Sequence, residues 1–139
     1  RLGINTLPDY LPNYEPPTTV YPLAMISPPA RNFLNSSFVN VQTLRDMEGE
    51  PLLEIHPEDA ARRGIQDGDV VCVFNDRGRY HCTACVSTRA RPGVVNGLGI
   101  WWRKLGRNGT NVNELTHQRL TDLGRAPAFY DCLVEVAAL

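Results

Sequence analysis

The chain has 139 residues, is 42% hydrophobic and carries a net charge of −1, enough to bury one core and no more. The balanced charge excludes a globally basic nucleic-acid binder. No run approaches the ~18 apolar residues that a membrane span needs, so direct membrane contact is not expected either.

The chain opens at Arg1 without an initiator Met or a signal-peptide pattern. It reads as a piece of a longer polypeptide whose targeting signal, and so its compartment, lies upstream. Residues 1–19 are rich in Pro, Asn and Tyr without a period and are expected to be an extended lead-in; residues 20–139 form the domain. Val20 to Ile26 is the first strand, with Pro22 at its start or on an edge. Ser27-Pro28-Pro29-Ala30-Arg31-Asn32 and then Phe33-Leu34-Asn35-Ser36-Ser37 form a loop that two prolines stiffen and that Ser, Arg and Asn furnish with hydrogen-bonding groups. From Phe38 to Leu44 the pattern leaves a short helix and an irregular crossing equally open.

The stretch from Leu52 to Gly78 carries the most consistent signals. Leu52, Leu53 and Ile55 form an apolar strand that Pro57 stops, and Pro57 suits a first helical position. A helix over Pro57–Arg63 places Glu58 and Asp59 in its first turn and Arg62 and Arg63 in its last, matching the helix dipole. Gly64 supplies the left-handed residue that ends it. Val70 to Phe74 is a continuous β-prone run, and Asn75-Asp76-Arg77-Gly78 closes a hairpin onto a second arm, Arg79 to Thr88. Arg91-Pro92-Gly93 marks a turn. Val94 to Trp102 returns as a strand interrupted by Gly97 and Gly99, with Trp101 and Trp102 on opposite faces. Gly106 to Asn113 has loop composition, Glu114 to Leu123 contains a short helical turn, and Pro127 introduces the last strand, Ala128 to Val136.

Cys82 and Cys85 form a C-x-x-C, the spacing of a metal knuckle or a redox pair. They sit in a strand pattern, however, and residues three apart in a strand point to opposite faces. Ordinary buried thiols are expected for these two and for Cys72 and Cys132. From Arg77 to Asn113 there is no acid but seven basic residues, while acids crowd between Asp46 and Asp69. Such a region attracts anions, although a solvated face paired with the acidic half explains the charge map slightly better. No nucleophile–base pair, metal cluster or phosphate-binding glycine loop appears. Residue patterns alone reach a small closed β-barrel that binds something.

A resemblance goes further. Leu53-Glu54-Ile55-His56-Pro57-Glu58-Asp59-Ala60-Ala61 followed by Gly64-Ile65-Gln66-Asp67-Gly68-Asp69-Val70-Val71 resembles the C-terminal dinucleotide-binding domain of the dimethyl sulfoxide reductase family of molybdopterin oxidoreductases. Tyr21-Pro22-Leu23, Asn35-Ser36-Ser37-Phe38, Arg91-Pro92-Gly93-Val94-Val95, Asn111-Val112-Asn113-Glu114-Leu115-Thr116 and the ending from Thr121 to Val136 fit in unbroken order. A similar strand–helix–Gly–Asp–strand unit occurs in other double-psi barrels, so a non-enzymatic barrel binding protein or peptide is the rival reading. The third possibility, an autoprocessing decarboxylase barrel, needs a Gly-Ser cleavage site, which the chain lacks.

The resemblance implies a mainly β double-psi barrel with a few short helices, and Leu53, Ile55, Val71, Val73, Leu133 and Val134 are expected to be mostly buried in its one core. It implies a cofactor, bis(molybdopterin guanine dinucleotide) with molybdenum or tungsten, partly covered by this domain. The metal ligand and the catalytic groups belong to preceding domains of the same polypeptide. The chain alone is therefore expected to be inactive and free of metal and cofactor. Cofactor contacts are implied for Ser27, Arg31, Asn35, Ser36, Asn113 and Asp122. Pro28-Pro29 departs from relatives that carry His or another polar residue there. Substrate and choice of metal are not legible in this stretch.

Overall fold

The computed structural model describes residues 12, 15–121 and 124–139. Six strands carry the fold: β1 (Leu23–Ile26), β2 (Leu52–Ile55), β3 (Val70–Phe74), β4 (Arg79–Val86), β5 (Val94–Leu98) and β6 (Cys132–Ala138). Alternation decides which way each faces. In β1, Leu23 and Met25 are buried while Ala24 and Ile26 are half-exposed, as period two requires. The strands close into a barrel in the order β1-β5-β2-β4-β3-β6. β1 and β5 are parallel, as are β2 and β4, and the other four pairings are antiparallel. This is the expected double-psi barrel, and closure leaves no strand edge unpaired.

All six expected core residues are buried; Leu53, Ile55, Val71, Val73 and Val134 are wholly inaccessible. Burying such side chains stabilises the fold by about 1.5–3 kcal/mol each. A second, smaller cluster of Ala30, Phe33, Val39 and Trp101 lies beside the barrel, with Leu44, Trp102 and Leu105 packed on it.

Helix α2 (Pro57–Ala61) starts at Pro57, as expected, with the His56 imidazole accepting from the Glu58 N–H, but it stops two residues short of Arg63. The arginines are committed elsewhere. Arg62 pairs with Glu58 and Asp59, and Arg63 with Glu135 of β6. Gly64 adopts φ +66°, in the left-handed region. Asp59 is almost fully buried and accepts the Gly93 N–H at 2.6 Å, tying α2 across one end of the barrel to the turn before β5.

Several boundaries differ from expectation. The open question over Phe38–Leu44 resolves into a crossing followed by helix α1 (Gln42–Glu48), ended by Gly49 at φ +78°. The strand expected to reach Trp102 stops at Leu98 because Gly99 turns at φ +76°. The helical turn lies earlier than Glu114–Leu123. Asn111 and Glu114 form a capping box that starts a 3₁₀ turn at Val112–Leu115. The last strand begins at Cys132, since Pro127 instead bridges Leu120 and Asp131 turns back on the Ala128 carbonyl.

Candidate functional site

Because β1 and β5 run in the same direction, the segments after Ile26 and Leu98 leave the barrel at the same end. The Gly99 N–H donates to the Pro28 carbonyl at 2.9 Å. A Cβ at Gly99 would stand 2.9 Å from the Ala30 Cβ, so the two segments approach as closely as backbone allows. Phe33 and Trp101 then meet edge to face at 5.1 Å. The Trp102 indole donates to the Ser36 carbonyl at 2.7 Å, and Lys104 lies over that indole at 5.1 Å.

The loop tip is a tight reversal. Leu34 and Ser37 exchange backbone hydrogen bonds, with Asn35 between them at φ +52°. Asn tolerates this region better than other side chains do. Phe38 follows at φ +73°, an outlier for a bulky residue, and is exposed.

Asn111 joins a second segment to this rim. Its side-chain amide donates to the Trp101 carbonyl, while its oxygen accepts the Asn113 N–H at 2.8 Å. The next turn packs close to the barrel: a Cβ at Gly97 would meet Val112 at 3.3 Å. The loops around Ser27–Ser37 and Asn111–Leu115 are thus linked through the paired tryptophans. Of the implied contact residues, Ser27 is buried and Arg31, Asn35, Ser36 and Asn113 are exposed. Among the described residues none of these five side chains has a hydrogen-bond or ion-pair partner. Asp122 lies outside the described residues.

The basic stretch is mostly paired internally. Arg77 pairs with Glu15, Arg89 with Glu54, Arg103 with Glu114 and Arg107 with Glu50. Among the described residues four of the seven cations between Arg77 and Asn113 are therefore paired with carboxylates, two of which, Glu50 and Glu54, belong to the acid-rich stretch between Asp46 and Asp69. Hydrogen bonding at Thr83, with the Arg107 guanidinium beside it, holds the Glu50 carboxyl below its usual range against the opposing effect of burial.

Cys72, Cys82 and Cys132 are buried and Cys85 is half-buried. Burial pushes the thiols of Cys72, Cys82 and Cys132 up, the opposite of what a nucleophile or ligand needs. Among the described residues no three His, Cys, Asp or Glu side chains gather as a metal site, and no helix is long and apolar enough to cross a membrane.

Sequence reasoning missed the anchors beneath the loop. The sequence pattern places Trp101 and Trp102 in a strand and Asn111 in a loop of turn composition. The Asn-x-x-Glu spacing of Asn111 and Glu114 was the available signal for the second segment.

Residues 23–133 match the family described as the Molydopterin dinucleotide binding domain. The chain is 35% identical to the dimethyl sulfoxide reductase DmsA of Escherichia coli across 96% of its own length and 17% of that protein. It is 36% identical to the respiratory nitrate reductase subunit alpha of Haloferax mediterranei across 68% of its length and 10% of that subunit. The chain thus spans only a small part of these relatives. The solved structure of acetylene hydratase from Pelobacter acetylenicus superposes with a TM-score of 0.65 over 86% of this chain and 18% of that one, at 17% identity, a likeness of fold. On the family match and the identity to its relatives, this chain belongs to the molydopterin dinucleotide binding domains.

Proposed function

We propose that residues 20–139 form the cofactor-holding domain of a molybdenum or tungsten oxidoreductase, with residues 1–19 leading into it from preceding domains. The ligand is molybdopterin guanine dinucleotide, one half of the bis form of the cofactor. The supporting observation is the mismatch at the rim between backbone and side chains. The backbone is pinned by Trp102, Gly99 and Asn111, while Ser27, Arg31, Asn35, Ser36 and Asn113 keep their side chains uncommitted among the described residues. Anchored backbone with unspent polar groups is how a protein prepares a polar ligand site before the ligand arrives.

The donor set fits the group. A pyrophosphate takes guanidinium and hydroxyl donors, which Arg31, Ser27 and Ser36 provide. Pterin and guanine edges mix donors and acceptors, which suits the two-sided amides of Asn35 and Asn113. A carboxylate such as Asp122 can accept from guanine N1–H and its exocyclic amine. When bound, the cofactor supplies the redox chemistry, and this chain's part is to orient it and shield it from water.

The test replaces Asn113 by Ala in the enzyme that carries this domain and measures the molybdopterin dinucleotide remaining after dialysis. Occupancy should fall by about tenfold at limiting cofactor, the loss expected when a buried polar partner goes unpaired, with the barrel still folded by circular dichroism. Full occupancy in this variant and in Arg31→Ala would overturn the assignment.

A further inference from the structure

Arg77 sits in the β3–β4 turn and reaches two places at once. Its Nε donates to the Leu115 carbonyl at 2.7 Å, the last carbonyl of the turn that displays Asn113. Its two terminal nitrogens grip both carboxylate oxygens of Glu15, in the segment leading into the barrel. Glu15 also accepts the Leu133 N–H of β6 at 3.2 Å. The ion pair is largely sheltered: the Glu15 side chain is 19% exposed and that of Arg77 31%.

The surroundings reinforce this clasp. Asn75 bridges the Leu115 and Leu133 carbonyls at 2.9 and 3.0 Å, and its oxygen accepts the Arg77 N–H. A Cβ at Gly78 would stand 2.8 Å from the Glu114 carbonyl, so the two turns lie against each other. Further along the segment the Tyr21 hydroxyl donates to Asp76 at 2.6 Å. A cleft of about 230 Å³ remains between the segment and the turn. Such investment in an otherwise irregular stretch of chain has no counterpart in the barrel's own needs, because β3 and β4 already pair fully.

We propose that Arg77 is a positioning residue for the cofactor rim. Through Leu115 it holds the turn that presents Asn113, and through Glu15 it makes the segment entering the domain a strap on that turn. The inference rests on the cofactor reading of Asn113. Any change in the path of the segment entering the barrel is then transmitted to the rim by one bidentate ion pair, and releasing the strap loosens Asn113 without unfolding the barrel.

Hydrogen exchange on this chain and cofactor retention in the enzyme that carries it test the proposal together. In Arg77→Ala, exchange at the Glu114, Thr116 and Leu133 amides should quicken by about tenfold, as expected for loss of a charged hydrogen bond, while the Val71 and Val73 amides of β3 stay protected. Glu15→Ala, which spares the barrel itself, should do the same at Leu133 and Thr116. Arg77→Lys should leave the Thr116 amide intermediate, because an ammonium cannot make the fork to Glu15 and also reach Leu115.

Both Ala variants should release the dinucleotide faster than wild type, toward the Asn113→Ala level. Equal quickening at Val71 would mean global destabilisation and overturn the proposal. So would a Glu15→Ala effect confined to Leu133. If Asn113→Ala releases cofactor but Arg77→Ala and Glu15→Ala do not, the strap fails and the cofactor reading stands. If Asn113→Ala releases nothing while Thr116 still responds to both variants, the cofactor reading fails and the positioning role falls with it.

Discussion

Trp102 donates its indole N–H to the carbonyl oxygen of Ser36 across 2.7 Å, joining positions 66 residues apart. The bond holds the tip of one rim loop from a residue whose neighbour, Trp101, is bound in turn by Asn111 of the other. A single dipeptide thereby sets the relative placement of the two segments carrying unspent polar side chains. In the sense of the chain's physics, the tryptophans are the scaffold and the loop residues are its cargo.

Trp102→Phe removes the hydrogen bond and trims the ring. A phenyl keeps only part of the indole's packing on the Phe33 and Trp101 cluster and of its face under Lys104, and the Ser36 carbonyl turns to water, so stability should drop by at least the ~0.5–1.5 kcal/mol that one such bond is worth. The loop should loosen more than the barrel, seen as faster exchange at the Leu34 and Ser37 amides than at Val71. A uniform change across these amides would show that Trp102 supports the core rather than the loop.

Much of the barrel was legible beforehand because local signals there agree with the global fold. Val70–Phe74 and the turn Asn75–Gly78 combine β-propensity, turn chemistry and a buried face, and the observed β3–β4 hairpin follows them residue for residue. The rim was less legible for a physical reason. Its order comes from contacts between distant positions, such as Gly99 with Pro28 and Trp102 with Ser36, and no local period records those. Gly99 illustrates the limit: the sequence marked it as a bulge or close approach, yet the partner Ala30 lies far along the chain. Likewise Arg62 and Arg63 matched a helix-dipole rule in sequence, but Glu135 on β6 claimed Arg63 in space. The implied contact residues came from resemblance alone, and the structure adds the anchors that local patterns omit.

Tyr80 offers a test of the core itself. Its side chain is almost fully buried in β4, its hydroxyl has no partner among the described residues, and burial drives its ionisation well above the usual range. A buried hydroxyl without a partner carries a desolvation penalty of about 1–3 kcal/mol. Tyr80→Phe removes the polar atom and leaves the ring, so stability should be unchanged or rise by up to about 1 kcal/mol. Urea unfolding of both proteins measures this directly. A loss greater than about 1 kcal/mol would show that the hydroxyl is hydrogen-bonded in solution.

The acid limb of stability should carry the signature of Glu50. Its carboxyl is held below its ordinary 4.5 by Thr83 and then by Arg107, against the opposing effect of burial. A native pKa lower than the unfolded one means that the unfolded chain binds more protons in the interval between them. Stability therefore falls as pH drops. The contribution is complete above about pH 4.5 and drains away as pH falls through the lowered native value. Because 44% of the Glu50 side chain is exposed, solvent screening keeps the amount small, below about 1 kcal/mol. Glu50→Gln keeps the shape and an oxygen acceptor but cannot titrate. Urea midpoints recorded between about pH 3 and pH 7 should converge for the two proteins at the acid end and separate toward neutrality, with wild type the more stable. Parallel curves throughout that window would remove Glu50 as a source of the pH dependence and leave the Arg107 contact as packing alone.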